Sequence, residues 1–375
     1  MRVIVAGAGI SGCAAALAIH RAGHDAVLLE RAERIEPLGA ALSIWGNAMA
    51  ALDDLGCGAA VRARAAPVRS VTLSRANGRT LVGPVDLSDT DSWLPTRAAL
   101  QDVLLYALEA GVLRLGCKVD DVRCAEGGVE AIADGQTIEK ADCAVVADGI
   151  WSRFGADLSG APRYAGYGGA LALGAGGSDL GDGFANGHAE EIWGERERFG
   201  LFAAQGDRPY WFYMQSAAAQ HCMTLTHADI LARAASFPRR IAEAVAATPP
   251  DAVTNVAIHA KPPPRSLGRG RIVAIGDAAH PMEPNQGQGA CQGIEDAWAL
   301  GKLLGSVPAD ALAEALERAR LKRVRGFVRE SALIGRMAHG ESAMLRRLAQ
   351  GAMAAIPRAM DARQLSARLQ PVSYG

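Results

Sequence analysis

Residues 1–30 read MRVIVAGAGISGCAAALAIHRAGHDAVLLE, and their pattern decides the fold. Arg2–Ala6 is a short β-branched run of the kind buried on both faces of a parallel sheet. Helix formers follow at 10–22, Gly23 stops them, and a second strand runs over 26–30. Strand, helix, strand is the opening of a β-α-β unit. A signal peptide also joins a basic residue to an apolar run, but it has no use for glycines at fixed offsets. Gly7 permits the tight turn, Gly9 lets a pyrophosphate approach the backbone, and Gly12 allows close helix–strand packing. The helix N-terminus offers N–H groups to phosphates. Glu30, eighteen residues past Gly12, is placed for ribose hydroxyls. The stretch predicts a dinucleotide site without choosing between NAD and FAD.

Composition narrows the class. A chain of 375 residues has room for two or three lobes. With 50% hydrophobic and 21% charged residues it can build an ordinary core. The net charge of -1 gives no basis for a nucleic-acid partner. Its seven cysteines include no C-x-x-C pair and read as reduced thiols of a cytoplasmic protein. No other segment reaches the roughly 18 apolar residues that a membrane span requires. The expectation is a cytoplasmic protein with no membrane partner, no nucleic acid and no metal.

Further pieces of one parallel sheet are spread along the chain. A helix is expected at 97–110, and a buried strand at 143–147 ends in Asp148-Gly149. Another strand at 271–275 ends in Gly276-Asp277 and leads into a helix over 287–304. Between them, strand-like runs at 189–193, 198–204, 210–214 and 221–226, then a helix at 229–247, suggest an inserted antiparallel sheet. Pro262-Pro263-Pro264 closes the insertion as a stiff connector. The expected divisions are 1–160 and 266–305 for the dinucleotide lobe, 161–265 for the insertion, and 306–375 for C-terminal helices.

A second glycine-rich stretch, GDAAHPMEPNQGQGACQGIEDA at 276–297, separates the two dinucleotides. Asp277 emerges at the C-terminal edge of the sheet, where α/β folds gather ligands. Its carboxylate suits ribityl or ribose hydroxyls. Pro284 and Gly287-Gln288-Gly289 form a turn at a helix N-terminus, whose dipole favours negative charge on a reduced flavin ring. FAD is long and bent and needs an anchor at each end; NAD does not need the second. His280 is expected to buttress this turn.

These motifs resemble those of the single-component FAD-dependent aromatic hydroxylases, of the 4-hydroxybenzoate and salicylate hydroxylase type. The resemblance rests on GAGISG with Glu30, on VVADGIWS around Asp148-Gly149, on the 276–297 stretch, and more loosely on Arg97 in TRAAL. LGAALSIWGNAMAALDDLG, at 38–56, is similar to the family's loop near the flavin. It implies an α/β fold: a Rossmann-like FAD-binding domain with a parallel sheet, an inserted antiparallel-sheet substrate domain, and C-terminal helices. It implies FAD contacts at Gly7, Gly9, Ser11, Gly12, Glu30, Arg31, Arg97, Asp148, Gly276, Asp277, Pro284, Gly287, Gln288 and Gly289.

The resemblance further implies that NAD(P)H binds transiently and that O₂ reacts to a flavin C4a-hydroperoxide, which hydroxylates a small aromatic or heteroaromatic substrate. Pro284 would shape the oxygen pocket. The layout is most like urate-hydroxylase-type members, in which a strand arginine and a tyrosine contact a purine. Arg198 and Tyr213 fall at comparable places, in a monomer or homodimer. One departure stands out: family members carry an arginine seven residues after the motif aspartate, where this chain has Gly155. The W-x-W-x-I-P motif of related halogenases is absent. A flavin reductase of the same fold, or a protein that binds a nucleotide without catalysis, would also be compatible with the glycine-rich turns.

Overall fold

The computed structural model describes residues 1–36, 40–175, 184, 186–206 and 208–355. The start of the 38–56 loop and the end of the 306–375 segment therefore lie outside the described residues. A six-stranded sheet runs in the order Gly268–Arg269, Ile272–Ala274, Cys143–Val146, Arg2–Ala6, Asp25–Leu29, Leu113–Arg114. All its pairings are parallel except the first. Its central strands are apolar because both faces are covered. Helices Ile10–Arg21 and Gly289–Leu303 pack side by side on it, close enough that a β-carbon on Gly301 would stand 3.0 Å from Ala18.

The second large sheet has seven strands, ordered Thr254–Ala260, Arg163–Leu173, Arg208–Ser216, Glu197–Ala204, His188–Trp193, Ser70–Arg75, Thr80–Asp86. It is antiparallel apart from the pairing of His188–Trp193 with Ser70–Arg75. Two of its strands thus come from the 1–160 stretch. The run at 221–226 is not a strand: it holds the end of the helix Ala219–Cys222 and the N-cap of the next helix. Its buried residues, Cys222 and Leu225, are three apart, a helical rather than a strand spacing. Thr226 and Asp229 form a capping box there. The helix expected at 229–247 is two, His227–Ala234 and Arg239–Ala246, with Pro238 between them.

Among the described residues no helix is long and apolar enough to cross a membrane. The long helix Leu312–His339 lies across both sheets' ends, with Arg320 bonded to the flank of helix Gly289–Leu303 and His339 stacked on Tyr167 of the seven-stranded sheet.

Candidate active site

Three stretches distant in sequence meet at the C-terminal edge of the six-stranded sheet. Gly7 has φ +101°, and a β-carbon there would stand 2.5 Å from the Ala147 carbonyl oxygen, which presses the first turn against Asp148. A β-carbon on Gly12 would stand 1.8 Å from the Gly7 oxygen. Ser11 fills the room left by two glycines of the second signature. β-Carbons on Gly276 and Gly293 would lie 2.3 and 2.1 Å from its Oγ. Gly9, in contrast, faces open space, with nothing within 4 Å of a β-carbon. No side chain caps the helix that starts there, so its first N–H groups aim into that space.

Residues from other elements stiffen this cradle. Glu30 accepts from the Ala8 N–H (2.8 Å) and the Ala32 N–H (3.0 Å). Gln101, which the sequence did not single out, donates to the Ala8 carbonyl at 2.7 Å and ties helix Arg97–Tyr106 to the turn. Arg97 lies one helical turn earlier, exposed, and its side chain makes no hydrogen bond or ion pair to the described residues. Arg31 is exposed beside Glu30.

Asp148 and Asp277 both open to solvent at the cleft. Between them lies Lys261, 3% exposed, whose ammonium donates to the Ala278 carbonyl at 3.2 Å. Burial lowers its pKa, while Asp148 and Asp277 pull the other way. Although the residue as a whole is exposed, desolvation of its carboxyl pushes Asp148 above its ordinary range, against the pull of Ser152, Lys261 and Arg31. The departure at residue 155 has a physical reason here. A β-carbon on Gly155 would stand 1.8 Å from the Ala278 oxygen and 3.1 Å from Lys261 Nζ. No arginine fits, and Lys261 brings a positive charge to the same place from another segment.

At the cleft's other end Pro284 is exposed and Gly287 adopts φ +62°. A β-carbon on Gly287 would lie 3.0 Å from Trp45 Nε1, and that indole donates to the Gln286 carbonyl at 3.1 Å. The loop before helix Gly46–Asp54 therefore packs on this turn. Gly289 stays open, with Asp277 Oδ1 3.9 Å from where its β-carbon would be. The Gln288 side chain is buried, accepting from Asn47 Nδ2 (3.1 Å) and Gln292 Nε2 (2.9 Å), which leaves only its backbone to the turn. Three amides inside the lobe satisfy one another, which turns Gln288 away from the cleft.

Behind the turn sits a buried charge cluster. His280 Nε2 meets Asp296 Oδ2 at 2.5 Å, and Asp296 also accepts from the Gly276 N–H (3.0 Å) and Arg320 Nε (2.8 Å). Glu295 pairs with Arg320 and with Arg323 Nε (2.9 Å). The buttressing expected of His280 is thus shared with two acids and two arginines.

The seven-stranded sheet turns one face to this cleft. Register places Gly200 opposite Phe212, Arg198 opposite Met214 and Phe202 opposite Tyr210, so these residues share that face. Phe202, Tyr210 and Phe212 are partly exposed there. Tyr213 points the other way. It is fully buried with Phe199 and Trp211 against the two helices, its hydroxyl donating to Glu197 (2.7 Å) and Gln215 (3.1 Å). Strand alternation removes it from the expected pocket. Arg198 is on the cleft face but 2% exposed, donating to Glu191 Oε1 at 2.8 Å and to Asn285 Oδ1. Asn285, next to Pro284, joins the sheet to the second signature. A separate surface depression, lined by Ala65, Pro67, Phe184 and Ala203, touches none of these residues.

The sequence pattern of one family, the FAD binding domain, matches residues 1–331. The chain belongs to the FAD binding domain family. The aurachin C monooxygenase/isomerase of Stigmatella aurantiaca is 33% identical over 356 residues, with 91% of each chain covered. The FAD-dependent urate hydroxylase of Klebsiella pneumoniae is 30% identical, again with 91% of each covered. Among solved structures, Klebsiella pneumoniae HpxO complexed with FAD and uric acid superposes with a TM-score of 0.87 at 25% identity, covering 98% of this chain and 96% of that one. FAD fits the residues present: the open cradle at Gly9 suits its diphosphate, and the exposed carboxylate of Asp277 suits its hydroxyls.

Proposed function

We propose that this chain is a FAD-dependent monooxygenase that uses NAD(P)H and O₂ to hydroxylate a small aromatic or heteroaromatic ring. The observation that carries this reading is Ser11 seated against Gly276 and Gly293, which joins both glycine-rich turns into one cleft. The activities named for the relatives, a monooxygenase/isomerase and a urate hydroxylase, support it.

When bound, FAD supplies hydride acceptance and oxygen activation; the protein supplies positioning and electrostatics. The helix start at Gly9 would receive the diphosphate, and Glu30 and Asp277 would accept from hydroxyls. Pro284 and the 287–289 backbone would border the flavin. The Phe202, Tyr210 and Phe212 face gives a substrate ring an apolar floor and keeps water out. Arg198 orders that floor, its guanidinium 5.7 Å from the Phe212 ring centroid. His280 is 1% exposed behind the turn, with its Nε2 on Asp296, so it buttresses the turn and does not touch the substrate.

NAD(P)H is a transient visitor in this reading, since the chain has no second G-x-G-x-x-G. The lobes are 1–160 with 266–305 for FAD and 161–265, joined by strands of 70–86, for substrate. The test is to purify the protein and look for the yellow flavin band. NADH and NADPH oxidation then follow, with a panel of phenols, aromatic acids and N-heteroaromatics, and mass spectrometry for one added oxygen. A colourless protein, or hydrogen peroxide as the sole product across the panel, overturns the proposal.

A further inference from the structure

Charge is unevenly divided along the chain. From Arg318 to the C-terminus the sequence holds twelve Lys and Arg against three Asp and Glu, although the whole chain carries only -1. Helix Leu312–His339 buries Arg320, Val324 and Phe327 on its inner side. On its outer side the helical period aligns Lys322, Arg325, Arg329, Leu333 and Arg336. Lys322, Arg329 and Arg336 are exposed, and none of the four cations forms a salt bridge to the described residues. The next helix, Ala343–Ala355, is inverted relative to an ordinary surface helix. Its polar Arg346 and Gln350 are buried, Arg346 donating to the Glu341 carbonyl at 3.0 Å. Its apolar Met344, Leu345 and Leu348 face outward instead, 68%, 62% and 63% exposed, with exposed Arg347 beside them.

We propose that Ala343–Ala355 is an interfacial helix that docks the protein on an anionic lipid surface, drawn there by the basic C-terminal segment. Lys and Arg close to such a surface gain from its negative potential, and the gain falls off within a Debye length. Apolar side chains on an amphipathic helix gain by entering the boundary between headgroups and acyl chains. The segment offers both features. A nucleic acid or an acidic protein surface would satisfy the cations but give Met344, Leu345 and Leu348 no apolar medium. A symmetric pairing of two copies through this face would bring two basic segments together. Docking of this kind needs no spanning helix, and none occurs among the described residues. The expectation of no membrane partner rested on spanning segments alone. The proposal goes beyond the reaction proposed above and does not depend on it.

The experiment is co-sedimentation of the full chain, as purified, with lipid vesicles at low ionic strength. One set is phosphatidylcholine alone; the other is an equal mixture of phosphatidylcholine and phosphatidylglycerol. The protein should bind the mixed vesicles at least about tenfold more tightly, and release as salt is raised. Two double variants separate the contributions: Leu345→Ser with Leu348→Ser, and Lys322→Gln with Arg329→Gln. Each should weaken binding at least about tenfold while the urea-unfolding midpoint stays at the parent value, because all four positions are exposed. Equal binding to both vesicle types, or none to either, overturns the proposal. Binding that survives the serine variant but not the glutamine variant also overturns it, since the stripe is then a general polyanion site. So does a parent chain that ignores lipid and sediments as a dimer while the serine variant sediments as a monomer, because a second copy then covers the helix.

Discussion

His280 and Asp296 form a buried pair, Nε2 to Oδ2 at 2.5 Å, each 1% exposed, with His280 Nδ1 left unpartnered. Asp296 also holds the Gly276 N–H, so the turn that carries Asp277 hangs on one carboxylate. Burial alone would raise Asp296, but His280 and Arg320 outweigh it and hold the acid far below its usual range. Glu295 is likewise held low against burial, by Arg320 and Arg323. Acids with depressed folded pKa values stabilise the fold above their unfolded pKa of about 4, and that stability drains away as pH falls through the folded values. The unfolding midpoint should therefore hold steady from neutral pH down to about 5 and decline below about 4. Arg320→Met takes one buried partner from each acid, leaving Asp296 to His280 and Glu295 to Arg323, and should cost about 3 kcal/mol in urea unfolding. An unchanged midpoint would contradict the buttress.

Gly9 and Gly12 should separate binding from folding. Gly9→Val has room in the free chain, so its unfolding curve should match the parent while FAD no longer binds. Gly12→Ala collides with the Gly7 carbonyl and should lower stability by about 1–3 kcal/mol, as overpacking does. Denaturation curves and flavin fluorescence on the same two variants check both outcomes. Equal behaviour would refute the separate roles given to them.

Lys261→Met keeps the length of the side chain but removes the charge between Asp148 and Asp277. FAD affinity measured by reconstitution should fall roughly tenfold, about 1.4 kcal/mol. Gly155→Arg should not rescue it, because residue 155 abuts the Ala278 carbonyl. Rescue in the double variant would show that the helix Arg153–Ser159 gives way.

Tyr213→Phe loses the hydroxyl's hydrogen bonding to Glu197 and Gln215 behind the seven-stranded sheet and should cost about 1–2 kcal/mol of stability. Its kcat/KM should stay unchanged. Phe212→Ala, one residue away on the opposite face, should raise KM severalfold with flavin content intact. Steady-state kinetics on the true substrate would expose an error if the two variants swapped these effects.

The FAD lobe was legible because its constraints are local. Gly7, Gly9 and Gly12 each answer to a fixed backbone geometry within one turn, and the strands beside them are uniformly apolar. The seven-stranded sheet was harder. Ser70–Arg75 and Thr80–Asp86 are short and mixed in polarity, and the first finds its parallel partner more than a hundred residues away. Arg198 was legible as a charge on a strand, but its pairing with Glu191 and Asn285 depends on register between distant segments. Tyr213 shows the limit from the other side. Alternation split the Tyr210–Tyr213 run into two faces correctly, yet only the helices packed on Trp211 and Tyr213 reveal which face is inner. Gln101 left no signal, since an amide in an amphipathic helix reads as surface until its partner is known.

The pairing of His188–Trp193 with Ser70–Arg75 means the half built on the seven-stranded sheet is no cassette that could be lifted out or exchanged. Excised at its sequence boundaries, it would bare a hydrogen-bonding strand edge, an invitation to aggregate. Grafting a new specificity onto this chain must proceed residue by residue on the standing scaffold.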